Sequence, residues 1–232
     1  TVAKLRILAG DAHRTKQHLG KLHYPPTARM GPEEERAVRD RLEAIRPALR
    51  GVVFSDYGYG SVPRSLLGWA ASLQGIPVVA DSRARLRDYS GITAVTPNEE
   101  EATALLGRTI ASDDEACEAA GALREELRTQ AVLLTRGNAG MVLSERGRPP
   151  VRIPVTGPRT VADVSGAGDT VTAIFTLGLA CGLSMEEAAR RANDAAGVVV
   201  LKPGVATLTR DEWLRIAERA PGDVRLLVLD LD

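Results

Sequence analysis

From residue 51 onward the chain repeats one phrase: a short, almost wholly apolar run, a polar residue, then a stretch with apolar positions at helical spacing. GVVFS ends at Asp56, IPVVA at Asp81, ITAVTP at Asn98 and AVLLT at Arg136. Runs this apolar predict strands buried on both faces, hence parallel and covered by helices on either side. The punctuation agrees. Pro63 fits a first helical position, Gly75 and Gly107 fit helix C-terminal caps, and Ser112 with Glu115 and Ser184 with Glu187 read as capping boxes. Upstream, Glu33, Glu34 and Glu35 follow Pro32 and precede Val38, Leu42, Ile45 and Leu49, the pattern of an amphipathic helix. Residues 2–9 and 17–24 mix apolar and polar positions like two exposed strands of a flap. MVLS and VRIPV, joined by ERGRPP, predict an antiparallel hairpin at the sheet edge. The fold class expected is α/β: a doubly wound, mostly parallel sheet flanked by helices, with a short β flap at the N-terminus. The divisions expected are 1–30 for the flap, 31–222 for the α/β domain, and 223–232 for a terminal strand or the start of a following segment. Ligands of such sheets bind at the carboxyl ends of the strands, where Asp56, Asp81, Asn98 and Arg136 all fall.

Composition narrows the ligand more than the fold. With 232 residues, 44% of them hydrophobic, the chain can bury one sizeable core. Thirty basic residues balance thirty acidic ones, so no global positive field draws it to nucleic acid or anionic lipid, and a small specific ligand is expected. No apolar stretch approaches a membrane span and no charged-then-apolar leader opens the chain, so a cytoplasmic protein is expected. Cys117 and Cys181 each fall in a helical pattern, which predicts two reduced thiols. His13, His18 and His23 recur every five residues, a spacing that no single helix or strand face collects into a metal site. The stretch Ala189 to Arg191 reads as a solvated helix face.

Candidate chemistry concentrates in VADVSGAGDTVTAIF, residues 161–175. A short strand leads into the small-residue turn Gly166-Ala167-Gly168, and a helix starts at about Asp169. Such a turn leaves backbone N–H groups unpaired at the positive end of the helix dipole, a nest for anions. A carboxylate at the same helix start is held ionised and can take a proton. Anion hole and base together are what phosphoryl transfer to an alcohol requires. On these residues alone, an Asp169 that merely caps its helix is an equal alternative. A dinucleotide-binding turn is not: the third glycine position holds Val171, and Asp169 would repel a pyrophosphate. No Walker A sequence exists, and only four of the thirty basic residues are lysines, so phosphate must be held by backbone amides and arginine.

DVSGAGDT at 163–170 resembles the C-terminal signature of the PfkB carbohydrate kinases, a family with a ribokinase-like fold. TPNEEEA at 96–102 is similar to the family's N-x-x-E motif, which implies that Asn98 and Glu101 order magnesium and phosphate. LLTRGNAGM at 133–141 resembles its nucleotide-contacting strand and turn, implying Thr135, Gly137 and Gly140 near ATP. RANDAAGVVVLKPGVAT at 191–207 resembles the helix and loop over the adenine, implying contacts from Asn193 and Gly204. The resemblance gives Asp169 the role of base and Gly166, Ala167 and Gly168 that of anion hole. It also implies that Asp163 helps hold a monovalent cation such as K+, against the plain alternative of a turn carboxylate. Asp56 could contact sugar hydroxyls or orient metal-bound water, or simply bond its own turn. SDYGYG at 55–60 and ADSR at 80–83 are similar to the heptose-phosphate kinase half of ADP-heptose synthase, and Lys4 and Arg6 echo that subgroup's lid strand as substrate contacts.

Two departures qualify the picture. Tyr59 stands where the subgroup has lysine, and Ser82-Arg83 replaces Pro-Lys, so a phosphate-facing charge is either lost or moved to Arg83. The family's first strands and its glycine-rich sugar-binding segment have no counterpart in these residues; if they are the entire protein, the expectation is a half-built sugar pocket and an open sheet side for a partner chain to cover. The resemblance implies ATP and Mg2+, transfer to a sugar or sugar phosphate such as a heptose 7-phosphate, and no nucleic-acid or membrane partner, with a homodimer left open. The alternatives are a non-catalytic nucleotide- or partner-binding relative and a nucleoside kinase of the same fold.

Overall fold

The structure, a computed structural model, describes residues 3–9, 17–24, 30–83, 85–156, 165–202, 206–216 and 226–229. Strands β1 (Ala3–Ala9) and β2 (Gln17–Tyr24) pair antiparallel as the separate N-terminal flap, with a register shift between Ile7 and Leu8. Helix α1 (Pro32–Ile45) follows and leads through a 3-10 turn into β3 (Gly51–Asp56), α2 (Arg64–Ala71), β4 (Val78–Ser82) and β5 (Ala94–Val95). Then come α3 (Glu99–Leu106), α4 (Asp113–Leu127), β6 (Ala131–Thr135), and the hairpin β7 (Met141–Glu145) with β8 (Val151–Ile153). Helices α5 (Ala167–Ala180), α6 (Met185–Val199) and α7 (Arg210–Ile216) precede β9 (Leu226–Leu229).

The main sheet runs β8-β7-β6-β5-β4-β3-β9. Neighbours from β6 through β9 are parallel, and the β7–β8 hairpin is antiparallel at one edge. Strand residues alternate between two cores, as the pleat requires. Val132, Leu134 and Val142 face the side covered by α1, α2 and α4, while Ala131, Leu133 and Leu143 face α5 and α6. Covering both faces is what made these strands read as continuous apolar runs. β9 lies parallel to β3 on the side of the sheet expected to be open.

Several local expectations shift. Pro63 is the N-cap of α2 rather than its first helical residue, and α2 ends at Ser72, so Gly75 serves a later turn. The β4–β5 crossover carries only a 3-10 turn, Leu86–Tyr89, where a helix was expected. Ser112 accepts from the Glu115 amide, but Glu115 reaches back to the Ala111 N–H, so that capping box stays half made. Ser184 and Glu187 complete theirs, and Gly107 caps α3 in the left-handed conformation. Both cysteines are free thiols, and no helix among the described residues is long and apolar enough to cross a membrane.

Candidate functional site

The carboxyl ends of β3 to β6 and the amino end of α5 enclose one cavity of about 840 Å³, within the range of small-ligand sites. Gly166 starts α5 with φ 83 and ψ 0, a left-handed conformation natural to glycine, and no side chain caps it. Its carbonyl receives the Thr170 N–H at 3.0 Å and the Thr170 hydroxyl at 2.8 Å. Among the described residues the amides of Ala167, Gly168 and Asp169 have no acceptor, and the space beside Gly168 is open. Together they form a cradle of donors at the start of α5. Buried Thr172 fixes the cradle against the sheet: its hydroxyl bonds back to the Gly168 carbonyl at 3.1 Å and meets the Thr96 hydroxyl at 2.8 Å, just beyond β5.

Asp169 is exposed to this cavity and makes no ion pair among the described residues. Its Oδ1 accepts a hydrogen bond from the Tyr57 hydroxyl at 3.0 Å. Tyr57 follows β3, and the Arg83 guanidinium lies over its ring, 5.2 Å from the centroid. Burial, and then the negative charge of Asp169, hold the Tyr57 hydroxyl well above an ordinary phenol, so it stays a proton donor. Asp81, at the end of β4, is pushed up to about 7 by burial and by the charges of Glu101 and Asp169, with Arg83 pulling the other way. Glu101 is raised by burial, against the opposing pull of the Asn98 amide it accepts from and of Arg83. Among the described residues lining the cavity, Arg83 is the sole Lys or Arg.

Most of the residues singled out in the sequence meet here. Asn98 and Glu101 form a complete capping box on α3: Asn98 Oδ1 accepts the Glu101 amide at 2.8 Å, and Glu101 Oε2 accepts the Asn98 amide at 2.9 Å. The box fixes both side chains at the cavity wall, where Asn98 and Glu101 are lining residues and Glu101 keeps Oε1 for the cavity. Thr135, Gly137 and Gly140 line the opposite wall, with positive φ at both glycines. A β-carbon on Gly140 would fall 2.2 Å from the Ile153 carbonyl oxygen, so the strap of residues 153–156 lies directly on this turn. Asn193 is buried and donates both amide hydrogens to the same strap, to the Pro154 carbonyl at 2.8 Å and the Thr156 hydroxyl at 3.1 Å. It thereby holds the strap in place along the cavity wall. Gly197 lets the strap approach, since a β-carbon there would meet the Thr156 oxygen at 2.4 Å.

Asp56 is buried and lines the cavity. Its Oδ1 accepts the Gly58 amide, and its Oδ2 accepts Arg85 at 2.5 and 3.0 Å and the Tyr89 hydroxyl at 2.8 Å. These bonds organise the loop after β3. Arg136 turns away, pairing with Glu99 and Asp113. Lys4 and Arg6 lie on β1 opposite His23 and Lys21, with their side chains outside the described residues. Asp163 and Gly204 fall outside them altogether. Tyr57 was quoted only as part of a motif, and Asp81 was placed at a strand tip without a role. Their partners lie far along the chain, where local pattern carries no signal.

The pfkB family carbohydrate kinase domain matches residues 65–212. The chain is 43% identical over 187 residues to the bifunctional protein HldE of Caulobacter sp. (strain K31), covering 78% of the chain and 38% of that protein. It is 35% identical over 237 residues to HldE of Geobacter sulfurreducens, covering all of the chain and 47% of that protein. The chain thus spans less than half the length of the curated relatives it matches. Among solved structures it is similar to phosphofructokinase-2 from Escherichia coli in complex with potassium, with TM-score 0.70 and 23% identity over 85% of this chain and 65% of that one. It is also similar to Arabidopsis thaliana ribokinase complexed with ribose and ATP, with TM-score 0.68 and 25% identity over 87% and 65% of the two chains.

Proposed function

Since the chain belongs to the pfkB family of carbohydrate kinases, we propose that it transfers the γ-phosphoryl group of ATP to a hydroxyl of a sugar or sugar phosphate, with Asp169 as the base. The observation that carries this reading is the shared cavity: uncapped amides of Ala167 and Gly168 open onto the same space as an exposed Asp169 that makes no ion pair among the described residues. A carboxylate locked in a salt bridge, or a turn facing away, would have removed the mechanism.

The acceptor O–H proton passes to Asp169 as the oxygen bonds to phosphorus and the β,γ-bridging bond breaks, releasing ADP. The α5 amides meet the charge that develops on the moving phosphoryl oxygens. The strap held by Asn193 and Gly197, with Gly140 and Val200, offers a largely apolar wall for the base. Magnesium, when bound with the nucleotide, supplies charge neutralisation at the phosphates. No three acidic, His or Cys side chains among the described residues gather tightly enough to hold an ion by themselves, so Glu101 and Asp81 would hold its water shell.

Arg83 supports an anionic acceptor, because it is the cavity's one Lys or Arg among the described residues and sits beside the base's neighbour Tyr57. With the SDYGYG and ADSR segments, it favours a heptose 7-phosphate. The test is ADP release across a panel of sugars and sugar phosphates. Asp169→Asn is expected to keep ATP binding and lose at least about a thousandfold in kcat; equal turnover in that variant would refute the mechanism. ADP release with unphosphorylated sugars alone would remove the heptose-phosphate acceptor and leave the kinase.

A further inference from the structure

We infer that Tyr57 is a positioning residue for phosphoryl transfer: its hydroxyl holds Asp169 by one oxygen while its ring seats Arg83, tying the base to the acceptor's anionic end. The inference rests on the kinase reading above. Asp169 stands at a helix start with its side chain in an open cavity, where a free carboxylate would rotate among several orientations. The 3.0 Å bond from Tyr57 to Oδ1 selects one of them and leaves Oδ2 to take the acceptor's proton. The donor reaches across 112 residues from the end of β3, a strand buried throughout, so its anchor is rigid. The Arg83 guanidinium over the same ring follows β4. One aromatic side chain thereby sets the distance between the group that recognises charge and the group that removes the proton.

Transfer remains a single displacement: the acceptor O–H bond breaks to Oδ2, the new O–P bond forms and ADP leaves with the old one. Tyr57 keeps its own proton throughout. The other charged groups facing Asp169 are Asp81 directly and, beyond it, Glu101 and Arg83, together with the α5 amides. None of these is removed by Tyr57→Phe, which keeps the ring.

The experiment compares Tyr57→Phe and Tyr57→Leu with the unaltered chain in steady-state kinetics, with thermal unfolding of each to check that the fold is kept. Tyr57→Phe is expected to lower kcat about tenfold with KM for ATP and acceptor little changed. Tyr57→Leu is expected to add a roughly threefold rise in acceptor KM as Arg83 loses its seat. A folded Tyr57→Phe variant with unchanged kcat, or one that loses KM rather than kcat, would overturn the inference. An unaltered chain that releases no ADP with any acceptor would sink the kinase reading instead.

Discussion

Replacing Asp81 by Asn is expected to make the protein more stable above neutral pH and to leave it unchanged in mild acid. The unfolded chain ionises this carboxyl near 3.8, whereas the folded chain holds it to about 7, chiefly through burial and then through the charges of Glu101 and Asp169. Between those values folding takes up a proton, so stability falls as pH rises and levels off once the folded group has also ionised. At about 1.36 kcal/mol per pH unit, a rise from 3.8 to about 7 corresponds to roughly 4 kcal/mol. Water at the cavity mouth relaxes part of this, leaving about 2–4 kcal/mol. Asn keeps the shape without the charge, so the variant's advantage should be near zero at pH 4 and reach that figure by pH 8. Urea unfolding without nucleotide or divalent cation, repeated across this range, measures the difference directly, since most other titrating groups cancel between the two proteins. Parallel stability profiles would refute the reasoning, because they would mean that Asp81 ionises normally in the folded cavity.

Two further perturbations test the walls of the site. Gly197→Ala forces a β-carbon to within 2.4 Å of the Thr156 oxygen, so the strap must move; ATP affinity by calorimetry should fall at least about tenfold, with a stability loss of about 1–3 kcal/mol. Arg85→Ala strips the buried Asp56 of its charged partner and should cost about 3 kcal/mol in urea unfolding, since Tyr89 and the Gly58 amide remain to soften the loss; a loss under about 1 kcal/mol would mean that Asp56 has little need of the pair.

What could be read from the chain alone was whatever local pattern encodes. The apolar runs gave β3 to β6 because a strand buried on both faces has no polar positions to break it, and the turn at ERGRPP gave the β7–β8 hairpin. The GAGD turn located the helix start to within two residues, because glycine conformation and helix termini are local matters. What stayed hidden was long-range. The partners of Asp56, Arg85 and Tyr89, lie 29 and 33 residues away, and nothing near Asp56 signals them. Asn98 and Glu101 do carry a local signal, the Asn-x-x-Glu spacing of a capping box, beside the motif for which they were singled out. The β4–β5 crossover was misjudged because a four-residue 3-10 turn suffices where the following strand is only two residues long.

Three features that forgo stability face one cavity. Helices α3, α4 and α6 each spend a side chain on capping their first amides, while α5, like α1 and α2, has no side-chain cap and alone of these three opens its amides onto the cavity. Asp81 is kept in surroundings that resist its ionisation, and Asp169 projects into open space with the Tyr57 phenol as its donor. Under the kinase reading a ligand offsets these costs: an anion on the α5 amides, and a cation among the carboxylates. Nucleotide and magnesium together should therefore stabilise the chain by more than the sum of their separate effects, since each charge lowers the cost of placing the other.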